Sequence, residues 1–229
     1  MEISVNKFTL EGEYNSGAAP HFQKLAIEGA TKMYGPIYAR KVSEYGLEFE
    51  AKMLNEKPPV YDGLDETISY IMKNASRYPR VQCPLHYGMG KAEAMLQGAS
   101  GAGAKRAAYN AMKNVLESSG ILGGERTEDG FKACRMYSES LKRIKSVVPT
   151  TYTRSEEKNT EITAVHHNCP YKDSCRARVN EGLTRMVGGR ECTALLMANA
   201  SIEIITKKQF DYRLEEFDKP DCVGRIFEI

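Results

Sequence analysis

EITAVHHNCPYKDSC, residues 161–175, is the stretch from which we predict both the fold and the candidate chemistry of the chain. The run from Ile162 to Val165 alternates in the manner of a β-strand. The pair His166–His167 follows it directly, and Cys169 and Cys175 come next. Two imidazoles and two thiols therefore fall within ten positions, which is the densest set of soft ligands and nucleophiles in the sequence.

The residues after this stretch predict two helices and a terminal hairpin. Apolar side chains recur at helical spacing over 174–187 and again over 192–205, although residues 202–205 also have strand character. The alternating runs 210–217 and 224–229 flank a turn and predict a C-terminal β-hairpin. Four of the six cysteines lie in this last third of the chain, so we expect it to carry the functional site.

Helical periodicity dominates the chain before residue 148. The predicted helices cover residues 19–33, 37–53, 64–76, 88–120 and 127–147, the fourth of them interrupted at 98–105. Thr127 is the expected N-cap of the last of these helices. Residues 3–10 predict a short strand, and residues 81–87 predict a loop or a short strand. Helices and strands together indicate an α+β protein.

The polar run 154–160 is the predicted boundary within the chain. It separates an α-rich N-terminal part, residues 1–153, from a cysteine-rich α+β part, residues 154–229. We expect the two parts to form one integrated domain, because 229 residues suit a single large domain.

Composition narrows the class of protein. The chain is 41% hydrophobic, and its net charge is +2 from 32 basic and 30 acidic residues, which argues against a nucleic-acid partner. No apolar run is long enough to span a bilayer, and the polar N-terminus is unlike a signal peptide. A cytoplasmic protein without membrane association is therefore expected, with its six cysteines as thiols or metal ligands.

The glycine-rich segment GASGAGAK, residues 98–105, resembles a phosphate-binding loop only superficially. A Walker loop needs lysine directly after its last glycine, and here Ala104 separates Gly103 from Lys105. The alternatives are a flexible connection or small residues at a close helix crossing.

The first hypothesis for the cysteines is a metal site. Zinc prefers four ligands drawn from thiolates and imidazoles. Cys169, Cys175, Cys192 and Cys222 would supply four, and a histidine of the pair at 166 and 167 would replace one of them.

The second hypothesis is nucleophilic catalysis by Cys169 with His166 or His167 as its base. Because adjacent residues of a strand point to opposite faces, one imidazole would face a pocket and the other would be solvated. Such a pair attacks an amidine, thioester or amide carbon. The competing interpretation makes the two histidines ordinary residues at the end of a strand.

The third hypothesis is binding without chemistry. Helices rich in methionine, tyrosine and leucine beside a small sheet can enclose an apolar ligand, and the cysteines would then stabilise the pocket.

The C-terminal third also resembles known families. Cys169–Pro170–Tyr171, a helix, Cys192, a strand and Pro220–Asp221–Cys222 follow in an order similar to that of the 4-vinyl-reductase-like small-molecule-binding domains, often labelled hydrocarbon-binding proteins. The order is also similar to that of the L-2-amino-thiazoline-4-carboxylic acid hydrolase-like family. The resemblance covers about residues 160–229, and Cys175 is additional to it.

This resemblance implies an α-helical layer packed on a small antiparallel sheet, with a ligand pocket between them. It implies zinc at Cys169, Cys192 and Cys222, and pairing into a homodimer through the helices. The leading prediction is thus a small-molecule-binding protein with a Cys/His site, its three thiols converging on one cavity beside the imidazoles. The alternative is a hydrolase of a carbon–nitrogen bond in a cyclic amidine.

Overall fold

The computed structural model describes residues 6–12, 19–77, 83–97, 101–124, 126–184, 187 and 192–229. In chain order its strands are β1 (Lys7–Leu10), β2 (Thr150–Arg154), β3 (Glu161–His166), β4 (Phe210–Lys219) and β5 (Asp221–Glu228). Its helices are α1 (Ala19–Tyr34), α2 (Pro36–Leu54), α3 (Leu64–Asn74) with a 3-10 turn at Ala75–Arg77, α4 (Pro84–Gln97), α5 (Gly101–Ser118), α6 (Gly130–Arg143), α7 (Lys172–Asn180) and α8 (Thr193–Thr206).

These elements form two compact units, each built from separated segments. The first unit comprises Met1–Tyr14, Val115–Cys169 and Arg185–Ile229, and the second comprises Asn15–Asn114 and Pro170–Thr184. The predicted boundary between residues 153 and 154 falls inside β2, within the first unit.

The first unit contains a five-stranded antiparallel sheet in the order β1-β2-β3-β5-β4. The α+β fold and the C-terminal hairpin of β4 and β5 are as predicted. Strand β2 was not predicted, and it supplies the connection between β1 and β3. Of the predicted strand at 3–10, residues 3–5 lie outside the described residues, and β1 covers the rest from Lys7.

Helices α6 and α8 cover one face of this sheet. Gly224 of β5 lies against Leu195 of α8, and Gly130 at the start of α6 lies against Phe210 of β4. Both contacts leave no room for a Cβ at the glycine, so small residues set the close approach of helix and sheet. The sheet face beneath these helices is the apolar core of the unit.

The N-cap of α6 is a correction to the sequence analysis. Asp129, and not Thr127, caps the helix: its carboxylate accepts hydrogen bonds from the backbone N–H groups of Phe131 and Lys132 at 2.8 and 3.0 Å. Thr127 precedes the cap, and its hydroxyl accepts a hydrogen bond from the backbone N–H of Asp129. The negative charge of an aspartate at this position also interacts favourably with the positive end of the helix dipole.

The second unit is helical, and it contains α1 to α4, most of α5, and α7. The predicted break between the first two helices is confirmed: Gly35 adopts a φ of 77°, and Pro36 begins α2. The loop or short strand predicted at residues 81–87 is wrong from Pro84 onward, because α4 begins there. Proline suits the first turn of a helix. The glycine-rich segment is helical from Gly101, and residues 98–100 lie outside the described part.

Helices α2 and α4 cross closely within this unit. A Cβ on Gly88 would collide with the carbonyl oxygen of Val42, so only glycine permits this approach of the two backbones. The crossing places the inner face of α4 beside Tyr38 of α2, which is fully buried. None of the described helices combines the length and apolar character needed to cross a bilayer.

Candidate functional site

The two adjacent histidines of the opening stretch occupy opposite faces of the sheet. His166, the last residue of β3, is 2% exposed, whereas the side chain of His167 is 37% exposed. The period of two in a strand predicts this difference. The pair therefore supplies two separate environments and not one.

The buried histidine has a defined tautomer. The hydroxyl of Thr150 donates to the carbonyl oxygen of Val148 at 2.8 Å and lies 2.9 Å from Nδ1 of His166. Because that hydroxyl has only one proton, Nδ1 of His166 must be the donor. Burial lowers the pKa of His166 to about 4, so the ring is neutral at neutral pH. Its Nε2 is a buried acceptor with no partner among the described residues.

Two of the predicted thiols share this inner face of the first unit. Cys222 pairs directly with His166 in the register of β3 and β5. Cys192 is the N-cap residue of α8, a helix whose Leu195 lies against Gly224, two positions along β5 from Cys222. Cys169 follows a residue in the left-handed region, Asn168 with a φ of 46°, and is half-buried. No sulfur atom completes a hydrogen bond to Nε2 of His166 in the described chain.

The predicted metal ligands do not form a described donor group. Across the described residues, no three or more Cys, His, Asp and Glu side chains are grouped so that they could hold a metal ion. Cys175 belongs to the second unit, whereas Cys169, Cys192 and Cys222 belong to the first. The zinc site at these four cysteines remains a prediction.

The partly exposed histidine, His167, is part of a hydrogen-bonded chain on the outer face of the sheet. Its Nδ1 lies 2.9 Å from Oδ2 of Asp221, and its Nε2 lies 2.9 Å from the hydroxyl oxygen of Thr151. Thr9 of β1 extends the chain, since its hydroxyl oxygen is 3.2 Å from that of Thr151. We call Thr151, His167 and Asp221 the outer-face triad.

A second polar cluster lies in the helical unit, between α4 and α7. The rings of His86 and Tyr171 stack with centroids 4.4 Å apart. Ser174 donates to the carbonyl oxygen of Tyr171 at 2.7 Å and is hydrogen-bonded to Nδ1 of His86. The same proton count as before makes Nδ1 of His86 the donor and leaves Nε2 as an acceptor. That Nε2 is buried and, among the described residues, has no partner.

Arg178 is the centre of this cluster. It is 4% exposed, and its Nη2 donates to the sulfur of Cys175 at 3.3 Å. Its Nε is buried without a described partner. The guanidinium lies against the backbone of Gly90, where any Cβ would collide with it. Within the described ranges, no carboxylate forms an ion pair with this guanidinium, although α4 carries one nearby.

That nearby carboxyl group is Glu93. It accepts a hydrogen bond from the hydroxyl of Tyr38 at 3.2 Å. Burial raises the pKa of Glu93 to about 7, against the opposing effects of Arg178 and Tyr38. Burial, and secondarily the positive charge of Arg178, holds the pKa of His86 well below its usual value. We call Tyr38, His86, Glu93, Ser174 and Arg178 the arginine cluster.

The arginine cluster is not among the sites predicted from the sequence. Its signal was present as helical spacing: positions 86, 90 and 93 form one stripe of α4, and positions 171, 174, 175 and 178 form one stripe of α7. Cys175, which the sequence predicts as a metal ligand, lies beside the guanidinium.

Comparison of the chain with protein-family models, with curated proteins and with solved structures finds no match. Function must therefore be argued from the chemistry of these clusters. Of the three sites, the arginine cluster is the one that holds a buried full charge.

Proposed function

We propose that this protein binds a small organic acid in its helical unit, with Arg178 as the group that binds the carboxylate. One observation carries the proposal: a buried guanidinium whose only described hydrogen-bond acceptor is a thiol sulfur. The proposal agrees with the predicted small-molecule-binding function, and it moves the site from the cysteines to α4 and α7.

The positive charge of Arg178 is buried, and burial of a charge has a free-energy cost. A charge taken out of water is strongly unfavourable unless it is paired and hydrogen-bonded. Cys175 is a weak acceptor, and Nε of Arg178 has no described acceptor. A planar carboxylate matches the forked donors of guanidinium in two parallel hydrogen bonds. A bound carboxylate would therefore supply what the apoprotein lacks.

Glu93 does not replace that carboxylate. Its pKa of about 7 means that a large fraction is neutral near neutral pH. A neutral carboxyl group leaves the charge of Arg178 uncompensated and does not repel an incoming anion. The cluster is thus arranged to accept one negative charge from a ligand.

His86 narrows the class of ligand. Its Nε2 is a buried acceptor, and the charge of Arg178 acts on its pKa, so the two groups belong to one electrostatic environment. A ligand that carries an O–H or N–H donor as well as a carboxylate satisfies both. Small hydroxy acids and amino acids have this pair of groups. A carboxylated cyclic amidine has it too, so hydrolysis of such a compound stays a prediction, as do the cytoplasmic location and the homodimer.

The test is a thermal-unfolding titration with glycolate, and acetate as the analogue that lacks the hydroxyl. We expect glycolate to raise Tm of the wild-type chain and Arg178→Met to abolish the shift. Because replacing an uncompensated buried charge by an apolar side chain is neutral or stabilising, Arg178→Met should keep or raise the ligand-free Tm.

Arg176→Met is the matched control, since Arg176 lies on the same helix and pairs with Asp173 at a partly exposed position. It should keep the glycolate response. If neither acid nor any other small carboxylate, tried from formate to citrate, shifts Tm of the wild type, the proposal is wrong. It is equally wrong if Arg178→Met, folded by circular dichroism, retains the shift.

A further inference from the structure

We infer that the outer-face triad hydrolyses small carboxylic esters, with the hydroxyl of Thr151 as nucleophile. The inference is independent of the proposed acid binding, because the triad lies on the sheet of the first unit and the arginine cluster lies in the second.

The strand register brings the three residues together. Thr151 pairs with Val165, so His167, two positions further along on the same face, is the diagonal neighbour of Thr151. His166 pairs with Cys222, so the next position, His167, stands opposite Asp221. The backbone N–H of His167 donates to the carbonyl oxygen of Pro149 at 2.8 Å and extends the ladder past the end of β3. Three strands thus fix the three side chains.

The hydrogen bonds of the triad have a direction. An ionised carboxylate only accepts, so Asp221 receives the proton on Nδ1 of His167. In the imidazole tautomer that carries its one proton on Nδ1, Nε2 has the lone pair, and the hydroxyl of Thr151 donates to it. A nucleophile bound to a base that a third group orients is the arrangement that activates a hydroxyl for attack.

Thr9 completes the set of donors. Since the one proton of Thr151 points to His167, the hydroxyl of Thr9 is the donor in the 3.2 Å contact with Thr151. The hydroxyl of Thr9 is thus a hydrogen-bond donor 3.2 Å from the nucleophilic oxygen and helps to hold that oxygen in place.

The triad is open to solvent, which suits a substrate that arrives from water. The side chains of His167 and Asp221 are 37% and 29% exposed. A nucleophile at a partly exposed position of the sheet favours small, activated acyl groups. This defines the substrate class as small carboxylic esters with good leaving groups.

The reaction needs only the ester and water. Oγ1 of Thr151 bonds to the carbonyl carbon while Nε2 of His167 takes its proton. The ester C–O bond then breaks, the leaving alcohol takes that proton, and Thr151 is acylated. Water attacks the acyl group with His167 again as base, releasing the acid and restoring the hydroxyl. Each step conserves protons and involves no oxidation.

The triad differs from the predicted Cys169 and histidine pair. The base is His167, one of the two histidines predicted for that role, and the hydroxyl at hydrogen-bond distance from its Nε2 belongs to Thr151. We therefore assign the nucleophile to Thr151.

The experiment follows hydrolysis of 4-nitrophenyl acetate by the full chain at pH 8, together with peptide mapping of the acetylated protein by mass spectrometry. We expect acetyl on the peptide that contains Thr151. Thr151→Val, which keeps the shape and removes the hydroxyl, and His167→Gln should each lower the rate by about 100-fold. Thr151→Ser should retain activity.

Thr153→Val is the control, because Thr153 lies on the same strand and face two positions away and is outside the triad. It should hydrolyse the ester at the wild-type rate. Acetyl found only at lysines or cysteines, or a folded Thr151→Val at the wild-type rate, would overturn the inference. If Thr151→Val fails to fold, the acetylation map of the wild type and the rate of Thr151→Ser still decide.

Discussion

The guanidinium of Arg178 occupies the space that a Cβ would fill at Gly90. Because residue 90 of α4 is glycine, the buried guanidinium of Arg178 can lie against the helix backbone. The relationship explains how a charge enters a helix interface that otherwise packs alanine, methionine and tyrosine. A larger residue at position 90 would therefore displace the side chain of Arg178 and leave the arginine itself unchanged.

We predict that Gly90→Ala displaces Arg178 and removes ligand binding. Alanine favours the helix by up to about 1 kcal/mol over glycine, but the collision of its methyl group with the guanidinium should outweigh this and lower the free energy of unfolding by about 1–3 kcal/mol. Urea unfolding and the glycolate titration measure the two effects. Gly123→Ala is the control, because a Cβ there meets nothing closer than 3.9 Å. A stabilised Gly90→Ala chain that still binds would contradict the packing argument.

Glu93 should make stability depend on pH. Its folded-state pKa of about 7 is above the ordinary value for a carboxyl group, so the native chain holds a proton that the unfolded chain releases. The stabilising effect is fully present below about pH 4 and is lost as pH rises through 7. We predict that Glu93→Gln makes the free energy of unfolding less dependent on pH in this range. It should raise that free energy by roughly 1–3 kcal/mol at pH 8. Urea unfolding at pH 5 and pH 8 measures the difference.

Protonation of Glu93 should also control the affinity for the ligand. Below pH 7 a neutral Glu93 does not oppose the ligand carboxylate, so binding of glycolate should tighten between pH 8 and pH 6. In Glu93→Gln this pH dependence should disappear. Equal affinity of the wild type at both pH values would show that Glu93 is not part of the binding environment.

Much of the fold could be predicted from local pattern. Helices α1, α2 and α8 and the terminal hairpin follow from their spacing, because each repeats its period over many residues. Strand β2 could not be predicted as easily, since Thr-Thr-Tyr-Thr acquires its role only from pairing with β1 and β3. The start of α4 differs from the prediction because a proline such as Pro84 fits both a loop and the first turn of a helix.

Less of the candidate sites than of the fold could be predicted from the sequence. The opposite faces of His166 and His167 follow from the strand period alone. The hydrogen bond between His86 and Ser174 joins residues 88 positions apart, and no local pattern indicates it. Cysteines are chemically distinctive in a sequence, whereas the buried Arg178 has the same sequence context as a surface arginine of a polar helix.

Cysteine reactivity should separate Cys169 from the other five. Cys83, Cys134, Cys175, Cys192 and Cys222 are buried, and Cys169 is half-buried. Burial raises the pKa of Cys134, so that thiol should be inert in the native chain. We predict that a native chain reacts with one equivalent of Ellman's reagent in the fast phase, and that Cys169→Ser removes this phase. A fast phase that persists in Cys169→Ser would show that a thiol described as buried opens to solvent.

His86 should determine which acids the arginine cluster prefers. His86→Phe keeps an aromatic ring to stack on Tyr171 but has no Nε2, and Ser174 still donates to the carbonyl oxygen of Tyr171. The variant should therefore fold, bind acetate as the wild type does, and lose the preference for glycolate, which we expect to be roughly five- to tenfold from one hydrogen bond. Calorimetric titration of both acids into both chains gives the ratio of affinities. Because Arg178 is untouched, loss of acetate binding as well would mean that His86 positions the cluster and does not contact the ligand. An unchanged preference for glycolate would mean that the hydroxyl of the ligand donates elsewhere.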